Sequence, residues 1–324
     1  MNTTAFLKEE FKKLNEKIIQ IKSIDNSMLG GIHEKYWLEA EGKKYLFKYN
    51  LGDNDFSDFG EVFTSYLAYL LNFKCVKSIF AKDLFGSDDD KNRGVLIESY
   101  LTKNIAESVS LESLFEKYKR HHFNGYTVKE VIKVLKEYCE DYNLILDNNL
   151  EQELKEMALI DYLLVQCDRH DKNIEFLIEN KKGKKIVHLA PMFDNGFCMH
   201  LSDTKSQRRD SLRKLNKNEI LKISLKIENP KPNFYIESTE EFLDEGECIV
   251  TDLATELLQN KKLKKLYNKF IKLNIKEEIE FISSIYKKEL NTEVIELMVT
   301  SVKNRVDLLN EELKLKENKI EMSF

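Results

Sequence analysis

Apolar positions recur with a helical period over residues 4–21, where Leu7, Phe11, Leu14, Ile18 and Ile21 form one stripe. From Ser23 the pattern changes. Residues 35–40 and 44–49 are β-rich runs, and the Glu41-Gly42-Lys43 link between them predicts a hairpin. Residues 58–72 return to a helical pattern, opened by Asp58 as an acidic cap and carrying Val62, Tyr66, Leu67, Tyr69 and Leu70. Two further strands are expected over 75–85 and 94–100, separated by the acidic turn Ser87-Asp88-Asp89-Asp90-Lys91-Asn92. After about Leu101 the strand signal mostly stops. Helices are expected over 128–142 and 150–166, and the second is almost all apolar from Met157 to Val165, the pattern of a helix buried on every side. A short hairpin follows over 174–178 and 185–189. Beyond Leu201 the chain reads as helical, ending in a stripe of Val294, Leu297, Met298, Val302, Val306, Leu309 and Leu313. The pattern predicts an α+β chain in two parts: a small β-rich lobe over 1–101 and a larger helical lobe over 102–324.

Composition supports that reading and removes several functions. A chain of 324 residues is long enough for two lobes, and 42% hydrophobic with 33% charged residues is ordinary for a globular enzyme. A net charge of −5 and a pI near 5.9 give no electrostatic case for nucleic acid. Cys75, Cys139, Cys167, Cys198 and Cys248 are odd in number and contain no C-x-x-C pair, so they read as reduced thiols, and not as a disulfide or zinc framework. Residues 1–20 are charged throughout, with no apolar segment of a secretory signal, and no window nears the roughly 18 apolar residues of a membrane span. The expectation is a cytoplasmic protein, with export by a signal-independent route left open.

The candidate chemistry centres on residues 164–173. Asp168 follows the buried helix and Asn173 precedes a strand, an interval of five that protein kinases use between a catalytic Asp and a metal-binding Asn. His170 is the alternative base, and Arg169 is positioned to contact phosphate or brace the loop. Asp194, followed by Asn195-Gly196, comes after a hairpin that returns it toward Asn173; Asn195-Gly196 is expected to permit an unusual backbone there. A carboxylate at 194 and an amide oxygen at 173 suit magnesium held together with a triphosphate. Upstream, Lys48 sits in a strand between hydrophobic neighbours, where lysine is a poor choice for packing alone, and Glu61 on the next helix is placed to pair with it. Gly30 and Gly31, ahead of Lys35, offer backbone N–H groups to phosphates. Glu98-Ser99-Tyr100-Leu101 is a candidate hinge. His188 is expected in ordinary packing, and a hydrolase built on His170, His188 and His200 lacks metal-ligand spacing.

The run Cys167-Asp168-Arg169-His170-Asp171-Lys172-Asn173, followed by Leu189-Ala190-Pro191-Met192-Phe193-Asp194, resembles the HipA-like serine/threonine kinases. More distantly it is similar to the phosphatidylinositol kinases with their D-R-H-x-x-N loop. Gly31-Ile32-His33-Glu34-Lys35 also resembles the phosphate loop of the HipA-like group. The resemblance spans residues 27 to 200 and implies a bilobal kinase fold with ATP between the lobes. It implies Asp168 as the base, Asn173 and Asp194 as magnesium ligands and Lys48 on phosphate, within a catalytic set of Asp168, His170, Lys48 and Glu61. The nucleotide set expected around them is Gly30, Gly31, Lys35, Lys48, Glu98 and Tyr100. Implied partners are a protein with a Ser or Thr acceptor, the chain itself included, and host-cell proteins if the chain is exported. Two departures stand out: Asn195 replaces the Phe of the usual kinase triplet, and no A-P-E motif follows. Alternatives on the same residues are a lipid kinase, for which Lys205, Arg208, Arg209, Arg213 and Lys214 form a basic cluster, and a partner-governed toxin or nucleotide-binding module.

Overall fold

Two successive residues with positive φ, Glu41 at 51° and Gly42 at 75°, close the hairpin between β2 (Lys35–Ala40) and β3 (Lys43–Tyr49). Left-handed backbone at both turn positions matches the twist of the strands, and Gly42 adopts it without a Cβ penalty. The structure, a computed structural model, describes residues 3–16, 21–25, 35–50, 56–82, 93–118, 126–166, 168–199, 201, 234–235, 245–286, 290 and 292–321. Gly30, Gly31, the turn at 87–92, Cys167, His200 and the basic cluster at 205–214 lie outside the described residues.

With β1 (Ile21–Asp25), β4 (Ser78–Lys82) and β5 (Arg93–Glu98), the hairpin builds an antiparallel sheet in the order β1-β2-β3-β5-β4. Strand alternation divides its side chains. Tyr36, Leu38, Tyr45, Phe47 and Leu96 form a small core on one face, with the Tyr36 and Phe47 rings stacked 5.2 Å apart. Leu46, Lys48, Val95 and Ile97 face the other way, where Val95 and Ile97 join the main core with α2 (Ser57–Leu71). The expected helix over 4–21 is shorter: α1 (Thr3–Glu16) ends early, and Ile21 opens β1 against the free edge of β2. Ladder hydrogen bonds to a neighbouring strand override a merely periodic apolar stripe there.

A second sheet, ordered β6-β9-β10-β8, begins the other half. It contains β6 (Ile105–Ser110), β8 (Ile145–Leu146), β9 (Glu175–Lys181) and β10 (Lys184–Leu189), with β7 (Tyr126–Thr127) pairing separately with β11 (Phe234–Tyr235). β6 lies where the strand signal had faded. Its half-exposed side chains carry little apolar alternation, and it is held by its ladder to β9. α3 (Leu111–Lys117) leads to α4 (Val128–Tyr142), which starts with a capping box in which Thr127 and Glu130 satisfy each other's backbone N–H groups. α5 (Leu150–Leu163) is buried without interruption from Met157, as its all-apolar pattern required.

The C-terminal helices are α6 (Glu245–Gln259), α7 (Lys261–Phe270), α8 (Ile275–Ile285) and α9 (Thr292–Glu321). One hydrophobic core runs through both halves, joining Phe59, Phe63 and Tyr66 of α2 to Leu159 and Leu163 of α5, Ile282 of α8 and Met298 of α9. α8 also fixes α2 by polar contacts. Tyr286 donates to Asp58 Oδ1 at 2.9 Å, Tyr66 hydrogen-bonds Glu278, and Lys8 pairs with Glu278 at 2.9 Å. Asp58 is therefore not the cap expected of it. Phe56 holds the N-cap position without a side-chain bond, while the buried Asp58 carboxylate accepts from Phe59 N and Tyr286. Among the described residues no helix is long and apolar enough to cross a membrane.

Candidate active site

Lys48 opposes Lys35 on β2 and Val95 on β5, on the sheet face turned toward α2. Its ammonium lies 3.2 Å from Glu61 Oε1 on α2 and 2.5 Å from Asp194 Oδ1, a residue 146 positions away in sequence. The other Glu61 oxygen accepts the Asn195 amide at 3.0 Å. Strand, helix and distant loop thus meet in one polar circuit. Lys48 and Glu61 are almost sealed, with side-chain exposures of 7% and 1%, whereas Asp194 keeps 32%. Burial opposes the charge on Lys48, yet Glu61 and Asp194 outweigh it and lift its pKa above the ordinary lysine value. Burial, with the Asp194 charge, lifts the pKa of Glu61 above the ordinary glutamate value against the opposing Lys48 and the Asn195 amide. For Asp194, burial would raise the pKa; Lys48 more than offsets this and holds it below the usual aspartate value.

The backbone at Asp194 is left-handed, with φ of 54°. The unusual conformation expected at Asn195-Gly196 therefore falls on the candidate carboxylate Asp194 itself. Gly196 serves close approach: a Cβ there would meet Ser57 Cβ at 2.9 Å and Ser57 O at 3.0 Å. Gly60 is the reciprocal case, since its Cβ would meet Gly196 O at 2.8 Å. Two glycines let the start of α2 lie directly on residues 195–196, which keeps Glu61 within reach of the Asn195 amide.

Arg169 is fully buried and every one of its five N–H donors has an acceptor. Nε and Nη2 grip Asp161 of α5 in a bidentate pair at 3.0 and 3.1 Å. Nη1 donates to Asn173 O and Phe193 O, and Nη2 also donates to Asn195 Oδ1 at 2.7 Å. Of the two uses open to Arg169, contact with phosphate is excluded by its burial and bracing is what it does. Gln166 adds a second tie, donating to Asp194 O at 3.2 Å and accepting from Asp168 N at 3.3 Å. Tyr126 donates to Arg169 O at 3.1 Å.

Asp168 is 36% exposed, and burial with the nearby Asp194 charge raises its pKa against the opposing His170, Lys48 and Arg169. Asn173 is buried, and its Nδ2 donates to Asp168 O at 2.7 Å. His170 Nδ1 accepts from Lys172 N at 3.2 Å and caps the short 3-10 turn Asp171–Asn173. His170 Nε2 lies 3.2 Å from Asn173 Nδ2 and 3.8 Å from Asp168 Oδ1.

The remaining expected residues divide. Lys35 lies across the ladder from Lys48; burial lowers its pKa while Asp194 opposes that shift. Tyr100 donates to Glu175 at 2.6 Å, and its ring sits 5.8 Å from that of Phe193, beside Asp194. Glu98 is not brought in: it is in register with Tyr45 on the opposite sheet face and pairs with Lys43 at 2.7 Å. His188 departs from ordinary packing, since its ring lies 2.7 Å from Asp147 and 3.0 Å from Glu179. Asp161, Gln166, Cys75 and Gly60 were not singled out from the sequence. For Asp161 a signal existed: it is the lone charge in the apolar run of residues 157–165.

No protein-family model matches the chain, and no curated protein matches it. Among solved structures its fold is of a kinase kind, an α+β architecture with a small β-rich part and a larger helical one. It is similar to the Helicobacter pylori proinflammatory kinase CtkA, with 18% identity and a TM-score of 0.61 over 92% of this chain and 97% of that one. It also matches Shewanella oneidensis HipA, from a complex with HipB and operator DNA, at 12% identity and TM-score 0.46 over 94% of this chain and 70% of that one. Hydra Fam20 with sugar matches at 14% identity and TM-score 0.41, over 98% and 92% of the respective chains. The likeness to CtkA is one of fold.

Proposed function

We propose that this chain is a magnesium- and ATP-dependent kinase that transfers the γ-phosphoryl group to Ser or Thr hydroxyls of a protein, itself included. The observation that carries the proposal is the convergence on Lys48 of Glu61 and Asp194, with a second open carboxylate, Asp168, on the adjoining loop. Residues 1–101 act as the nucleotide lobe and 102–324 as the lobe bearing the catalytic loop.

The donors fit magnesium. Asp194 has one oxygen on Lys48 and a third of its side chain open, and the buried Asn173 commits its Nδ2 to Asp168 O, so its amide oxygen is the atom that would take the metal. Both are hard oxygen ligands, and magnesium bound with a nucleotide needs only one or two from the protein. When bound, magnesium supplies neutralising charge to the phosphate oxygens. Lys48, kept charged by its two carboxylates, binds phosphate; Glu61 fixes its rotamer. Asp168 accepts the proton of the attacking hydroxyl, and His170, in contact with Asn173, supports the loop beside it. Lys35 and Tyr100 border the nucleotide, while Glu98 is left out because its carboxylate is engaged by Lys43.

The test is incubation of the full chain with labelled Mg-ATP and protein or phosphoinositide acceptors, followed by peptide mass spectrometry. Phosphoserine or phosphothreonine is expected, and it should vanish in Asp168→Asn. Transfer to lipid alone, or equal transfer by the variant, would overturn the assignment.

A further inference from the structure

The helix that carries Glu61 is held from two opposite sides. On one side Glu61 meets Lys48 of the sheet and the Asn195 amide. On the other stands Tyr286, which ends α8, its ring 5.6 Å from that of Phe59 and 4.7 Å from that of Phe80 on β4. Phe59 and Glu61 are two positions apart, which puts them on opposite faces of α2. The Tyr286 hydroxyl donates to Asp58 Oδ1 at 2.9 Å, and the same oxygen accepts Phe59 N at 2.8 Å. Asp58 is only 1% exposed, in the first turn of a helix whose N-cap residue, Phe56, offers no side-chain bond. A carboxylate sealed in this way is unfavourable unless it is hydrogen-bonded, and Tyr286 is a donor that ties it to the C-terminal helices. The first turn also has little room to shift. Gly60 lies so close to residues 195–196 that an added Cβ would meet Gly196 O at 2.8 Å.

We propose that Tyr286 is a positioning residue for phosphate binding: acting through Asp58, it fixes the first turn of α2 and with it the Glu61 carboxylate that aims Lys48. The connection is short. Tyr286 holds Asp58, Glu61 follows within one helical turn, and Glu61 then reaches Lys48 at 3.2 Å and the Asn195 amide at 3.0 Å. A second anchor restrains the helix further along, where Tyr66 hydrogen-bonds Glu278 of α8 and Lys8 pairs with the same carboxylate at 2.9 Å. Tyr66 lies beyond Glu61, so the first turn depends on Tyr286. Without that hydroxyl the ring still packs on Phe59 and Phe80, but the turn bearing Asp58 loosens, and the two hydrogen bonds to Glu61 loosen with it. The effect on phosphate rests on the proposed nucleotide site; the tie from Tyr286 to the Asn195 contact does not.

Tyr286→Phe in the full chain removes one oxygen and keeps the ring. Its affinity for a non-hydrolysable ATP analogue with magnesium should fall about five-fold or more, while adenosine, which brings no phosphate to Lys48, should bind as before. On a Lys48→Met background the same substitution should weaken the analogue no further, because the group it acts through is gone. Tyr267→Phe deletes a comparably buried hydroxyl, bonded to Asn310 Oδ1 at 2.9 Å between α7 and α9, and should leave analogue affinity unchanged. Without nucleotide, Tyr286→Phe should speed hydrogen exchange at the Asn195 amide and leave α9 unaltered. Undiminished analogue affinity, an equal loss for adenosine, the same loss on the Lys48→Met background or in Tyr267→Phe, or unaltered exchange at Asn195 would each overturn the role of Tyr286. A wild-type chain with no preference for the analogue over adenosine would instead sink the nucleotide reading, and exchange at Asn195 would still decide whether Tyr286 sets Glu61.

Discussion

Arg169 and Asp168 are neighbours in sequence and opposites in circumstance. Arg169 is sealed, with all five donors matched to fixed acceptors on α5, the catalytic loop and the segment after β10. Asp168, like Asp194, keeps about a third of its side chain open. The closed residue can do nothing but hold geometry, and the open ones have oxygens to spare for a metal or a substrate proton. Catalysis by positioning needs both: a frame that does not relax and a face that can exchange partners.

Breaking the open face should cost activity and leave the fold. Asp168→Asn is expected to lower the transfer rate about 10²–10⁴-fold, the usual contribution of a positioned base. Its thermal midpoint should stay near wild type, and a matching loss of both quantities would show that Asp168 belongs to the frame. Breaking the closed side should do the reverse in order of cause. Arg169→Lys cannot reproduce the bidentate grip on Asp161 and strands buried acceptors, so about 3–5 kcal/mol of stability should be lost in urea unfolding. A smaller strain is available at the glycine contact. Gly196→Ala drives a Cβ to 2.9 Å from Ser57 and should cost about 1–3 kcal/mol, with weaker nucleotide binding as α2 lifts away from Asn195.

Acidity separates the two open carboxylates. Asp194 is held below the ordinary aspartate range by Lys48, so its contribution to stability is present above the unfolded pKa and is lost as pH falls through the lower folded value. Asp168 is raised by burial and the Asp194 charge, so its sign is opposite and it gains proton-linked stability on acidification. Its base form must also disappear at a higher pH than an ordinary aspartate loses it. The acid limb of the transfer rate should therefore lie above the normal aspartate range; a limb at or below that range would contradict the environment described for Asp168.

Much of the open face was legible in the sequence, because its spacing is local: Asp168 and Asn173 are five apart, and Lys48 stands out as a charge inside a hydrophobic strand. The hairpin at Glu41-Gly42 and the buried run of α5 were legible for the same reason. The frame was not. Arg169 chooses its partners across 4 to 26 positions, and nothing local says that Asp161 is one of them, beyond its being a lone charge among apolar neighbours. Asn195-Gly196 suggested a turn, yet the left-handed residue is Asp194, and Gly196 is needed for the approach of a helix far upstream in the chain, at Ser57 and Gly60. β1 and β6 were missed because edge pairing, which sequence periodicity does not report, decides them.

The central claim is that Lys48, Asp168, Asn173 and Asp194 act together on magnesium-bound ATP. The most direct measurement is transfer of labelled γ-phosphate by the full chain in magnesium and in its absence, alongside Asp194→Asn. Labelled Ser or Thr is expected with magnesium only, with at least about 10²-fold less label from the variant. Undiminished transfer by Asp194→Asn, or transfer indifferent to magnesium, would contradict it.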